Sequence, residues 1–120
     1  MKQPRFKKQT IGVAVNPRNP NDRVQVPALV LGDLAVHGGL GGFPGDGDEN
    51  WKPSTRYYVV THVPSGYKLA EANKQRSCRR LVQELHALGL NWKFDAHFMT
   101  EEVYKIAIPI IRAFNSNTSN

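Results

Sequence analysis

The stretch RYYVVTHVPSGYKLAEANKQRSCRRLVQELHAL, Arg56 to Leu88, changes its period part-way through. Tyr57 to Val63 is dense in aromatic and β-branched residues, which fit the pleated, half-buried surface of a strand. Pro64-Ser65-Gly66 has turn composition and returns the chain into Tyr67-Lys68-Leu69, so the first half predicts a hairpin. From Glu71 the period becomes helical: Cys78, Leu81, Val82, Leu85 and Leu88 fall on one face, and Gly89 is a natural stop. A hairpin handed directly to an amphipathic helix is the seed of an α+β domain.

Upstream, Thr10 to Val15 alternates Ile11, Val13 and Val15 with Gly12 and Ala14, as a strand with one packed face does. Asn16 to Asp22 is dense in turn formers, and Val24 to Leu31 resumes as an apolar strand. Pro27 has no N–H to give a ladder, which predicts an edge position or a bulge. Gly32-Asp33 separates that run from the strand Leu34 to His37. Downstream, Trp92 to Phe98 is too short and mixed to assign. A second helix is predicted from the N-cap Thr100, with Glu101 and Glu102 complementing the helix dipole, and Pro109 is expected to kink or restart it. Its apolar residues leave only Lys105 and Arg112 clearly polar. Such a helix is either well buried or shared with another chain, which predicts a homodimer through Val103, Ile106, Ile110 and Phe114. The expected fold is α+β: an antiparallel sheet of about five strands with two C-terminal helices on one face, in a single domain spanning 1–120. That domain would carry a basic N-terminal arm (1–9), a long Gly/Asp-rich loop (38–55) and a frayed tail (115–120).

The loop GGLGGFPGDGDENWKPST, Gly38 to Thr55, contains six glycines and two large aromatics, Phe43 and Trp51. Structureless connections of this length are uncommon in compact domains and usually bind something, so Phe43, Asp46, Asp48 and Trp51 are candidate partner contacts. Asp46, Asp48 and Asn50 also match the first ligand positions of a calcium loop, where alternating oxygens surround a hard cation. Trp51 then stands where the turn needs glycine, and Tyr57 where a bidentate glutamate belongs. Glycine-rich phosphate loops lead into a helix N-terminus, whereas here Pro44 and an acidic run follow. No metal and no cofactor are expected.

Composition bounds the rest. The chain has 120 residues, an apolar fraction of 40% and a net charge of +6, so an anionic partner is attracted at long range. Residues 1–23 hold six basic side chains against Asp22, while Asp33, Asp46, Asp48 and Glu49 lie in or just before the loop. A polar, basic start without an apolar core of a signal peptide, together with one cysteine, Cys78, suggests a reducing cytoplasmic setting.

Candidate chemistry is sparse. His37 and His62 invite a metal reading. If the loop joins neighbouring antiparallel strands, His37 faces Arg56 and His62 faces Leu31, on the order of 20 Å apart, too far to share an ion. Cys78 sits on an apolar helix face as a core residue would. Ser65 lies in a tight turn with no base at a recognisable spacing, so no catalytic residues are assigned. The strongest candidate is a basic helix face: Arg76, Arg79 and Arg80, joined by Gln83, project away from the core stripe and suit phosphates or an acidic protein surface, a solvated face being the alternative. On the hairpin, Arg56, Tyr58, Val60 and His62 share one side, with Lys68 expected across from His62. Aromatic and basic residues on one sheet face are also the ingredients of a single-stranded nucleic-acid platform.

The segments Leu34-Ala-Val-His37 and Tyr58-Val-Val-Thr-His-Val-Pro-Ser-Gly66 resemble a pattern in small uncharacterised proteins of phages and mobile elements. There an Ala-Val-His strand is followed, after a loop, by Val-Thr-His-x-Pro-Thr/Ser-Gly. The resemblance names no reaction and transfers no functional residue. It implies a compact accessory protein that acts by binding, in the host cytoplasm if phage-encoded. The expected function is therefore a non-enzymatic accessory or anti-host factor that engages a host protein or nucleoprotein. Direct nucleic-acid binding through the basic helix and sheet face is the alternative, and an enzyme or nucleotide-ligand sequestering protein is a third class.

Overall fold

The computed structural model describes residues 5–14, 23–40, 53–93 and 100–118. Five strands, β1 (Lys7–Ala14), β2 (Arg23–Leu31), β3 (Leu34–Leu40), β4 (Pro53–His62) and β5 (Lys68–Ala72), precede two helices, α1 (Gln75–Ala87) and α2 (Glu101–Thr118). The strands form one antiparallel sheet in the order β1-β2-β3-β4-β5. The α+β architecture expected from the change of period is the one observed.

Alternation along the strands divides the side chains between two faces. Leu31, Leu34, Val36, Val60, Ala70 and Ala72 pack with Cys78, Leu81, Val82 and Leu85 of α1, with Trp92, and with Val103, Ala107 and Ile111 of α2. The opposite face gathers Ile11, Val13, Val26, Ala28, Val30 and Ala35 into a second cluster. This second face is buried although neither helix covers it, because the sheet curls. The amide of Ala14, at the end of β1, donates to the carbonyl of Gly66 at 2.9 Å, and the Arg23 guanidinium donates to the carbonyl of Pro64 at 3.2 Å. The first hairpin thus closes onto the turn between β4 and β5, and the apolar side chains inside the curl cover one another.

Several boundaries differ from expectation. Gly38 to Leu40 belong to β3 and Pro53 to Thr55 to β4, so the connection between them is shorter than 38–55. Gly39 suits its place in the strand because the Tyr57 ring lies where a Cβ would be. Phe43, Asp46, Asp48, Asn50 and Trp51 fall outside the described residues. Lys7 to Gln9 are in β1 rather than a free arm. Pro27 is in an inner strand of the order, not at an edge. Its neighbour on one side is Thr10, while described β2–β3 pairing runs only from Leu29 to Leu31, so its missing N–H interrupts no ladder there.

Thr100 caps α2 through its Oγ1, which accepts the Val103 amide at 3.4 Å. The helix is one continuous element across Pro109 and reaches Thr118. A proline deletes only local backbone bonds, and Val103, Ala107 and Ile111, all buried, hold both halves against the core. The tail expected from 115 is therefore helical as far as 118, and the Asn115 side chain accepts the amide of Glu71 at the β5 edge. Among the described residues no helix is long and apolar enough to cross a membrane.

Closure of the curl puts a demand on Gly66. Its φ of 77° is a left-handed conformation, and a Cβ there would stand 3.1 Å from both Ala14 N and Gly12 O. Both neighbours are backbone and cannot turn aside. Gly66→Ala is expected to cost about 1–2 kcal/mol from the backbone conformation alone, and more from the contacts. Urea unfolding measures it, and a loss below about 0.5 kcal/mol would contradict the closure described.

Candidate functional site

The turn following β4 is built around His62. Its Nε2 lies 2.6 Å from the carbonyl of Trp92, which only accepts, so Nε2 carries the proton. Nδ1 is then an acceptor and receives the Ser65 hydroxyl at 2.7 Å and the Ser65 amide at 3.3 Å. The Tyr67 amide donates to Ser65 Oγ at 3.2 Å. Val63 donates to the carbonyl of Asp33 in the β2–β3 turn. Ser65 therefore does have an imidazole in reach, three residues upstream, which corrects the expectation that no base accompanies it. Both side chains are nevertheless buried, at 4% and 2% exposure, and their hydrogen bonds point within the turn. The pair fixes the loop geometry and ties it to the chain that leaves α1.

His37 is the mirror case on the other sheet face. Its Nδ1 lies 2.7 Å from the Gly38 carbonyl and so donates, leaving Nε2 to accept the Thr61 hydroxyl at 2.7 Å. The two histidines thus hold opposite tautomers, each with both nitrogens bonded. Burial lowers both pKa values below the usual range, against a raising contribution from the backbone carbonyl each ring faces and, for His62, from Asp33. The register expected for them is also corrected: His37 pairs with Val59 and His62 with Leu34. The Leu40↔Pro53 pair keeps the register counted from the connection, but an irregularity between Gly38 and Leu40 shifts the rest of the ladder by three residues, so the histidines are three positions apart along β4 and on opposite faces. Among the described residues no three His, Cys, Asp or Glu side chains gather as a metal site would require. Cys78 is fully buried, its thiol donating to the Tyr58 carbonyl at 3.6 Å, and burial pushes it up to about 11. It is a core residue.

Helix α1 carries the charged candidates. Arg76, Arg79 and Arg80 are exposed and Gln83 is half-buried, as the helical phase requires once Cys78, Leu81, Val82 and Leu85 face inward. The first turn holds no acid, and the N-cap Lys74 makes no side-chain capping bond. Described ion pairs join Lys68 to Glu71 and Lys105 to Glu101, and none of the three guanidinium groups is paired with a described residue. The N-terminal half of α1 is thus a positive surface without a described acidic partner, where fixed charge and helix dipole act together.

The sheet-face platform is not assembled. Val60 and His62 are buried at 0% and 2% exposure, and Tyr58 packs partly buried against the helical core, because α1 lies on that face. Lys68 pairs with Thr61, not His62, owing to the irregularity between Val60 and Thr61. Arg56 and Lys68 instead line an open groove of about 770 Å³ beside the β5 edge, with Tyr57, Glu71 and Asn115. Tyr58 lines a second cleft with Lys8 and Gln75. Sequence reasoning missed Thr61, Trp92, Lys8 and Gln75; only the His62–Ser65 spacing, the span of a tight turn, gave a local signal.

No family model, curated protein or solved structure matches the chain.

The histidines make stability depend on pH with a definite sign. Each is lowered in the folded state, so the unfolded chain binds more protons, and folding is favoured above the unfolded value of about 6.5. That contribution is lost as pH falls through 6.5 towards the lower folded values. The melting temperature is expected to be level from pH 8 to 7 and to fall on acidification below about 6.5, with the fall reduced in His37→Asn. A melting temperature that rises from pH 7 to 5.5 would contradict the assigned tautomers.

Proposed function

We propose that this chain is a non-enzymatic binding protein that engages an acidic surface of a host protein or nucleoprotein through α1, as an accessory factor of the phage or mobile-element kind. The observation that carries this reading is the set of three arginines at an acid-free helix start, exposed and with no ion-pair partner among the described residues. Three guanidinium groups within two turns favour carboxylates or phosphates by bidentate pairing, and their charge raises the encounter rate with an anionic partner. Direct nucleic-acid binding is weakened as a reading by the covered sheet face, which removes the stacking surface a single strand would use.

Self-association remains part of the proposal, with a changed contact set. Val103 is 1% exposed and faces its own core, so it leaves the expected interface. Ile106 is 42% exposed, and Ile110 and Phe114 are partly covered. These three define a narrower apolar stripe for a second copy, a homodimer being the commonest closed assembly. Sedimentation at micromolar concentration is expected to show a dimer that Ile106→Lys converts to monomer. A wild-type monomer would end this part of the proposal.

Replacing Arg76, Arg79 and Arg80 together with glutamine is expected to change stability by no more than about 0.5 kcal/mol, as exposed substitutions do. Affinity for polyglutamate should fall by about tenfold or more. Titrations at several salt concentrations, with DNA and RNA in parallel, provide the check. Tight, salt-steep binding of the wild type to nucleic acid alone, with a slope lowered by up to about three units in the variant, would replace this reading with direct nucleic-acid binding. An unaltered triple variant would reduce the face to solvated surface.

A further inference from the structure

The β2–β3 ladder has three described pairs, Leu29↔Val36, Val30↔Ala35 and Leu31↔Leu34. On either side the neighbouring ladders run on: β1–β2 as far as Ala14↔Arg23, and β3–β4 past Gly38↔Tyr58. The two central strands therefore part beyond Leu29 and Val36 while each is held by its outer neighbour. An open cleft of about 600 Å³ fills the gap, with Pro27, Leu29, Val36, Gly38 and Tyr58 along it. Pro27 has no N–H with which to complete the ladder, and Gly38 puts no side chain in the way.

The cleft is bounded by Lys8 on β1 and by Gln75 at the start of α1. Arg79 follows Gln75 by one helical turn on the same side of α1, so cations stand on both flanks, and among the described residues no acid lines the cleft. We propose that this split in the sheet receives an extended acidic segment of the partner protein as an added strand beside β3. One apolar side chain of the segment rests on Pro27, Leu29 and Tyr58, and its carboxylates face Lys8 and Arg79. Three observations select such an occupant. The edge of β3 facing the gap has no described ladder beyond Val36, which suits main-chain pairing. The floor is mainly aliphatic, which suits a leucine-like anchor better than a stacked base. The described charges on the flanks have one sign. The proposal rests on the anionic-partner reading above and names the form that partner takes.

Fluorescence anisotropy with three labelled hexapeptides tests it: an alternating peptide, Glu-Thr-Leu-Thr-Glu-Thr, whose leucine and carboxylates share one face of a strand, all-Glu, and the alternating peptide with its central amides N-methylated. The alternating peptide is expected to bind about tenfold tighter than the all-Glu one, the worth of one buried leucine, despite its lower charge. N-methylation should remove that gain, and Lys8→Glu, an exposed change, should weaken the alternating peptide several-fold with the melting temperature unchanged. Equal affinity of the two unmethylated peptides, indifference to N-methylation, or tighter binding of oligothymidylate would overturn strand addition. If the all-Glu peptide binds and the triple arginine variant loses it while alternation adds nothing, the arginine face stands and the cleft falls. If neither peptide binds, both fall.

Discussion

The hydrogen bonds of one imidazole, that of His62, hold the parts of this fold in register. Through Nδ1 it shapes the turn containing Ser65, and through Nε2 it fastens that turn to the chain leaving α1 at Trp92. The same turn presents Pro64 and Gly66 as acceptors to Arg23 and Ala14. Strand β1, the hairpin of β4 and β5 and the segment after α1 therefore meet at a few residues. Burying an imidazole is costly unless both nitrogens are satisfied, and here the turn itself supplies the partners. That makes the segment from Val60 to Gly66 a structural joint.

The consequences for the surface follow from where the joint places α1. With the helix laid across β3, β4 and β5, its apolar stripe completes the core and its arginines are turned outward. The helix also hides the face of β4 on which aromatic and basic residues alternate. A side chain's chemistry was legible in this chain, but its availability was not, because exposure depends on which face of the sheet the helices take. Tyr58 illustrates the point: aromatic and at an outward phase of its strand, it ends beneath the first turn of α1.

Much of the fold could be read from period and punctuation. The switch from β to helical spacing near Glu71, the cap at Thr100 and the turns at Gly32 and Gly66 are local signals with local causes. The register of the histidines was not legible, since it depends on an irregularity inside the β3–β4 ladder. Counting inward from the long connection holds at Leu40 and Pro53, and the shift between Gly38 and Leu40 displaces every pair beyond it. The curl of the sheet was equally hidden, because the bonds from Ala14 and Arg23 to the distant turn have no signature in either segment. Of the candidate site, the arginine face was visible in helical phase alone, whereas the cleft required knowing where two strands stop pairing.

The strand order has a kinetic meaning as well. Every neighbour in the sheet is also the next strand in the chain, so each ladder can form after closing a single connection, without waiting for a crossover. Hairpins of this kind assemble on the order of microseconds. The bonds from β1 to the β4–β5 turn are of another sort, for they join segments separated by three strands, at a loop-closure cost that grows only slowly with length. The meander is thus a chain of local steps, and the sealing of the curl is the contact that spans the most chain.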